Sequence, residues 1–281
     1  MSVHRCHLKS SVDRRDFLAL LAAGLFSAVS CSVRGPRLAP KADAAPLAPD
    51  PRAIQSKPPL PPLSPIPSPN PGPFHLVSHG PEGTMRIALT IDDGTCAECI
   101  AGYVSFAELT GIHITFAPNG LFKDLWEPHT DRLRALIQAG QVQIGNHTWA
   151  HSNLMTRSDA AIRTEIEKNE DWIERTYGIT ARPWFRPPFG KHNAHIDGIA
   201  GSLGFTNILL WNATLGDASK ETAASLMDQA QKWILPGAIV LGHANHPTVL
   251  SKFDELQQLI SQRNLEPVTL DTMFGTSRAV G

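Results

Sequence analysis

Hydrophobic and polar positions divide the chain into three stretches of different character. Phe17 to Val29 ("FLALLAAGLFSAV") form an unbroken uncharged run behind the basic "HRCHLKSSVDRR". From Gly35 to about Pro73 the residues are mostly Pro, Ala and Ser ("PPLPPLSPIPSPNPGP"), and no strand or helix period offers a face to bury. From about Met85 onward, apolar runs of strand length alternate with segments of helical period.

Seven runs have strand character: "RIALTI", "IHITFA", "VQIGN", "PWFRP", "TNILLW", "AIVLGH" and "EPVTL". Between them, "SDAAIRTEIEKNEDWIERTYG" predicts a helix that turns Ile162, Ile166, Ile173 and Tyr177 to one face and stops at Gly178. "PHTDRLRALIQAG" predicts another, opening near Pro128, burying Leu133, Leu136 and Ile137, and closing on Gly140. Strands alternating with helices imply parallel pairing through right-handed crossovers. About seven of them favour an α/β barrel, while the pattern alone leaves a doubly wound sheet open.

Composition changes this picture little. At 281 residues, 42% hydrophobic and with a net charge of -1, the chain can bury a full core and has no bias toward nucleic acid or an anionic membrane surface. The N-terminal apolar run is shorter than the ~20 residues of a membrane span and has the size of a signal-peptide core. Arg14 and Arg15 before it resemble a twin-arginine export signal. "SAVSC" resembles a lipobox ending at Cys31, with Ala28 where Leu is more usual, and the same text also suits plain cleavage near Ser30. The expected organisation is an export signal over 1–31, a Pro-rich tether over 32–80 and a catalytic domain over 81–281. The product would be lipid-anchored in a bacterial cell envelope or secreted. An extended tether rising about 3.1 Å per residue would reach roughly 100 Å. Of the four cysteines, only Cys96 and Cys99 remain as a candidate pair once the signal is removed, and in an oxidising compartment they are expected to form a disulfide.

The reactive residues collect where strands end, which in an α/β barrel is the face that carries active sites. Asp92 and Asp93 close the first run, and two adjacent carboxylates must either stay in water or hold something positive. His147 and His151 stand four apart in "NHTWAH", a spacing that on a helical turn presents two imidazoles to one point but is also common by chance on surfaces. Arg186 lies in the fourth run and His243 ends the sixth.

"TIDDG" (Thr90 to Gly94), "HTWAH" (His147 to His151), "RPPFG" (Arg186 to Gly190) and "LGH" (Leu241 to His243) match, in order, four motifs of the NodB-homology polysaccharide deacetylases, carbohydrate esterase family 4. This resemblance covers nearly all of the chain after the tether. It implies a distorted (β/α)7-type barrel and a divalent metal, zinc first, held by Asp93, His147 and His151. It further implies Asp92 as general base, His243 as general acid, Arg186 orienting the base, and the backbone N–H of Phe189 as an oxyanion donor. Phe189, Trp211 and Asp217 are expected at the substrate site, and an acetylated glycan is the expected substrate of a monomeric enzyme.

"LLWNATLGDA" departs from the family's acidic D-x-x-D-W stretch, with Thr214 in place of the first acid and only Asp217 surviving. That departure keeps two alternatives in view: a catalytically silent carbohydrate-binding lipoprotein, and a deacylase of another N- or O-acyl substrate. The other histidines, His113, His192, His195 and His246, are expected at the surface or behind the site, with His246 nearest its rim.

Overall fold

The structure, a computed structural model, describes residues 65–276. The expected export signal, with Arg14, Arg15 and Cys31, and the Pro-rich stretch up to residue 64 lie outside the described residues. Among those described, no helix is long and apolar enough to cross a membrane.

The described residues form nine strands: β1 (His75–Val77), β2 (Arg86–Asp93), β3 (Ile114–Pro118), β4 (Val142–Ile144), β5 (Trp184–Phe185), β6 (Asn207–Leu209), β7 (Ala213–Thr214), β8 (Ile239–His243) and β9 (Glu266–Pro267). Every pairing is parallel, as the strand and helix alternation requires. One sheet runs β4-β3-β2-β8-β7, a second runs β1-β6-β5, and a bridge between Asn146 and Phe185 joins the end of β4 to β5. Strands β2 to β8 therefore follow one another around a distorted seven-stranded barrel. Its seam falls between β6 and β7, because the outer edge of β6 is paired with β1.

The seven barrel strands are not the seven runs expected. "EPVTL" contributes β9, which pairs only with the first residues of β2, Arg86 and Ile87, outside the ring. The seventh barrel strand is the two-residue β7, too short to carry an alternating pattern. Strand β1 lies within the 32–80 stretch assigned to the tether and pairs residue for residue with Asn207–Leu209.

Strand β2 is buried on both faces from Ile87 to Asp93, as a central parallel strand covered by helices must be. Ala88, Trp184, Leu209 and Ile239, drawn from four strands, meet Val268, Leu270 and Met273 inside the ring. The helix Leu270–Phe274 closes the ring at its base, tied by Trp184 Nε1 donating to Asp271 Oδ1 at 2.7 Å. The outer layer follows its periodicity: helix Asp159–Tyr177 is capped by Ser158, ends at Gly178 and buries Ile162, Ile166, Ile173 and Tyr177. Fully burying each such side chain contributes about 1.5–3 kcal/mol. Helix Thr130–Gln138 buries Leu133 and Leu136 as expected and leaves Ile137, expected with them, half-buried.

Candidate metal centre

Strand β2 delivers two carboxylates to the C-terminal rim of the barrel, with Asp92 in register with His243 on β8 and Ala117 on β3. The chain then turns sharply. Asp93 takes a left-handed backbone (φ 65°), a conformation that costs a residue bearing a Cβ about 1–2 kcal/mol and persists where surrounding contacts enforce it. Here its carbonyl accepts from the Trp126 indole (3.1 Å) and from the Asn119 N–H (3.3 Å). Gly94 follows at φ 100°, and a Cβ there would lie 2.1 Å from Trp126 Nε1, so only glycine fits under the ring.

Asp93 Oδ1 faces two imidazoles, His147 Nε2 at 3.3 Å and His151 Nε2 at 3.5 Å. It is buried and makes no well-formed hydrogen bond, an arrangement that is costly unless something else occupies the space. The three residues offer ligand atoms all within 4.8 Å of one another. A tetrahedral ion with bonds of about 2.0–2.1 Å sets its donors roughly 3.3–3.4 Å apart, so the carboxylate-to-imidazole separations suit such an ion. His147 Nδ1–H donates to the Arg186 carbonyl (2.7 Å), which turns its Nε2 lone pair toward the others.

Electrostatics agree with a site built for a cation. Burial works to raise the Asp93 carboxyl, but His147, His151 and the Asn245 amide outweigh it and hold the group well below the usual carboxylate range. Burial alone would lower His147, yet Asp92 and Asp93 push it upward. His151 is pushed down, by burial first and then by the charge of His147.

Asp92 has different neighbours. Its Oδ1 accepts from Arg186 Nη1 at 2.7 Å, and its Oδ2 lies 3.5 Å from His147 Nε2. Arg186 is only 1% exposed, and its Nη2 donates to Thr90 Oγ1 (2.8 Å), whose hydroxyl donates to the Val240 carbonyl (2.7 Å). The guanidinium is thus fixed at both ends. His243 Nδ1–H donates to Asp217 Oδ1 (2.9 Å) and its backbone N–H to Asp217 Oδ2 (3.0 Å), leaving Nε2 for the site. Burial lowers the His243 imidazole, but the bond to Asp217 and the charges of Asp92 and Asp217 raise it above its ordinary value.

Asp217, expected among the substrate-site groups, is placed behind the His243 imidazole. It is 3% exposed with both oxygens committed to His243, so it holds the imidazole instead. Thr214 sits on β7 with its hydroxyl accepting from Gly216 N–H, and the acid bonded to His243 is the one that remains in this stretch. Phe189 is 58% exposed at φ 61°, its ring 4.4 Å from that of His151. Trp211 closes against Gly190, where a Cβ would come within 2.7 Å of the indole. These two aromatics border the group on one side.

The His147–His151 segment is not helical. Thr148 and His151 both have left-handed backbones (φ 68° and 51°), and the loop converges its imidazoles by a route that helical spacing does not describe. Three buried amides and a half-buried carboxylate hold it in place. Asn119 Nδ2 donates to the carbonyls of His147 and Thr148, and Asn146 Oδ1 accepts from Thr148 N–H (3.0 Å). Asn169 donates to the Pro118 carbonyl and to Asn146 Oδ1, while Glu165 accepts from Ala150 N–H (2.8 Å) and Ser152 Oγ. None of these was singled out in the sequence. For Asn119 and Asn146 the available signal was an uncharged amide one or two residues past a strand, in "APNG" and "IGNH".

Cys96 and Cys99 form a disulfide (S–S 2.07 Å, Cα–Cα 5.2 Å) at the start of helix Ala97–Thr110. Cys96 N–H donates to the Ala244 carbonyl (3.1 Å), tying this turn to the residue after His243.

Comparisons with known proteins agree with the fold and with the family that the motifs resemble. A family model described as polysaccharide deacetylase matches residues 79–208. A peptidoglycan-N-acetylglucosamine deacetylase of Bacillus cereus is 27% identical over 203 residues, covering 71% of this chain and 72% of that protein. An uncharacterized protein of Streptomyces coelicolor is 30% identical over 199 residues, covering 70% of this chain and 76% of that one. Among solved structures, a CE4 family pseudoenzyme from Bacillus anthracis shares the fold with a TM-score of 0.62 at 21% identity, over 71% of this chain and 68% of that one.

Proposed function

The chain belongs to the polysaccharide deacetylase family, and on that premise we propose that it is an exported, zinc-dependent hydrolase that removes N-acetyl groups from an amino-sugar polymer of the cell envelope. One observation carries the reading. The two adjacent carboxylates have different partners, Asp93 facing two imidazoles and Asp92 a buried guanidinium, which suits one to a cation and the other to a proton.

Asp93, His147 and His151 would hold the ion. A divalent ion bound there supplies Lewis acidity, which brings the pKa of water toward 7 and polarises an amide carbonyl. Asp92 receives a proton at Oδ2, because Oδ1 is already taken by Arg186. The Phe189 N–H donates to the oxyanion as it develops. His243, whose protonated form is favoured by Asp217, gives its Nε2 proton to the departing amine. Trp211 and Phe189 supply apolar faces to the sugar and its acetyl group.

Fold likeness alone does not carry activity, since a pseudoenzyme shares this fold. Support for catalysis comes from this chain's own residues: the base is bonded to its arginine and the acid to its aspartate. Thr214 in place of the first acid leaves His243 and Asp217 paired, which favours an enzyme over a silent binding protein. Export through the Arg14 and Arg15 signal, and attachment by lipidation of Cys31, belong to the same proposal. Zinc content before and after His147→Ala tests the site: about one ion per chain in the parent and none tightly held in the variant. Retention of the ion at parental affinity would refute the ligand assignment.

A further inference from the structure

Two residues beyond His243, the side-chain amide of Asn245 makes four contacts to the turn that carries the metal ligand. Its Nδ2 donates to Asp93 Oδ2 at 2.7 Å. Its Oδ1 accepts from Gly94 N–H (3.3 Å), Thr95 N–H (3.1 Å) and Thr95 Oγ1 (3.0 Å). The orientation of the amide is dictated by chemistry, because a carboxylate faces one end and backbone donors face the other. No rotation by 180° would satisfy both. The loop that carries Asn245 is itself anchored, through Ala244 N–H donating to the Asp92 carbonyl (3.0 Å) and Ala244 O accepting from Cys96 N–H (3.1 Å).

We propose that Asn245 is a positioning residue that makes Asp93 a one-oxygen metal ligand. Occupying Oδ2 with an amide N–H leaves Oδ1 as the oxygen directed at His147 and His151, and it is Oδ1 that is buried without a well-formed hydrogen bond. The amide also braces the left-handed turn at Asp93 from outside, while Trp126 and Asn119 brace it from beneath. Without Asn245 the carboxylate is free to rotate about its terminal bond and to present either oxygen or both, and metal binding must then pay the ordering that the amide now provides in advance. The inference rests on the reading of Asp93, His147 and His151 as the metal site.

The test is zinc affinity, measured by competition with a chromophoric chelator, for the parent, Asn245→Ala and His147→Ala, alongside melting temperatures of the metal-free proteins. Partners that orient metal ligands typically change affinity by about 10–100-fold. Asn245→Ala is expected to weaken zinc by at least about tenfold at a metal-free melting temperature close to the parent's, whereas a merely structural role would move melting and leave affinity alone. Parental affinity in Asn245→Ala, with zinc lost in His147→Ala, overturns the proposal and spares the site. Parental affinity in both overturns the site itself. A second measurement needs no variant: in the 15N-labelled parent, the Asn245 side-chain amide should show one slowly exchanging proton whose resonance moves when zinc is added. An amide in free exchange with water and indifferent to zinc overturns the proposal equally.

Discussion

Replacing Arg186 by Met should be the most damaging single change to the fold near the site, and zinc should partly repair it. The side chain is 1% exposed and Asp92 is 3% exposed, with 2.7 Å between Nη1 and Oδ1. Methionine fills much of the volume but leaves a buried carboxylate without its counter-ion, and removing one partner of a buried pair typically costs about 3–5 kcal/mol. The Thr90 hydroxyl also loses a donor. His147 Nε2, 3.5 Å from Asp92 Oδ2, is a substitute cation when protonated, so the lower end applies: about 3 kcal/mol. For a domain of this size that corresponds to roughly 6–12 °C in melting temperature. Urea unfolding of metal-free parent and variant measures the loss, and repetition with saturating zinc should show a smaller one, because the ion supplies positive charge beside Asp92. Arg186→Lys should recover only part, since an ammonium cannot reach Asp92 and Thr90 together as the guanidinium fork does. A metal-free Arg186→Met protein as stable as the parent would refute the reasoning.

Asp217→Asn should shift the alkaline limb of the kcat/KM profile to lower pH. His243 must be protonated to act as the acid, its pKa is raised with Asp217 as the main contributor against burial, and losing that charge lets the proton leave earlier; an unmoved limb would show that another group sets it. The same pairing stabilises the fold most below about pH 6.5, where a free imidazole is protonated, and its contribution fades as pH rises through the higher folded value. Exchanging Cys96 and Cys99 together for Ser should lower activity more than melting temperature. A loop this short restricts the unfolded chain by no more than about 2 kcal/mol, while the turn it anchors carries Asp93 and contacts Ala244; parental turnover in the double variant would separate the disulfide from the site.

Much of the barrel was legible because β2, β3 and β8 are long enough to show their character and the helices between them have clear caps, as with Ser158 and Gly178. Strands β1 and β7 were not, since no run of strand character marks their two or three residues in the sequence and they depend on partners 132 and 27 positions away, as in His75 with Asn207 and Ala213 with Val240. The named site residues were legible through motif order, not through local conformation. His147 and His151 converge through left-handed turns enforced by Asn119 and Asn146, and nothing in the spacing of two histidines reveals that. Asn245 illustrates the same limit. In "HANHP" the eye goes to His246, yet the residue bonded to Asp93 is the amide beside it, 152 positions along the chain.

Acetate release from an N-acetylated amino-sugar polymer, by parent and Asp92→Asn proteins at equal zinc occupancy, is the decisive measurement. The parent should release acetate, and the variant, less stable for the loss of the Arg186 counter-ion but folded and with its metal ligands kept, should be slower by about 10²-fold or more, the usual scale for losing a general base. No acetate from the parent on peptidoglycan, chitin oligomers or other acetylated glycans, with zinc bound and the sugar still captured, would contradict the assignment and identify a binding protein that has kept the fold of an enzyme.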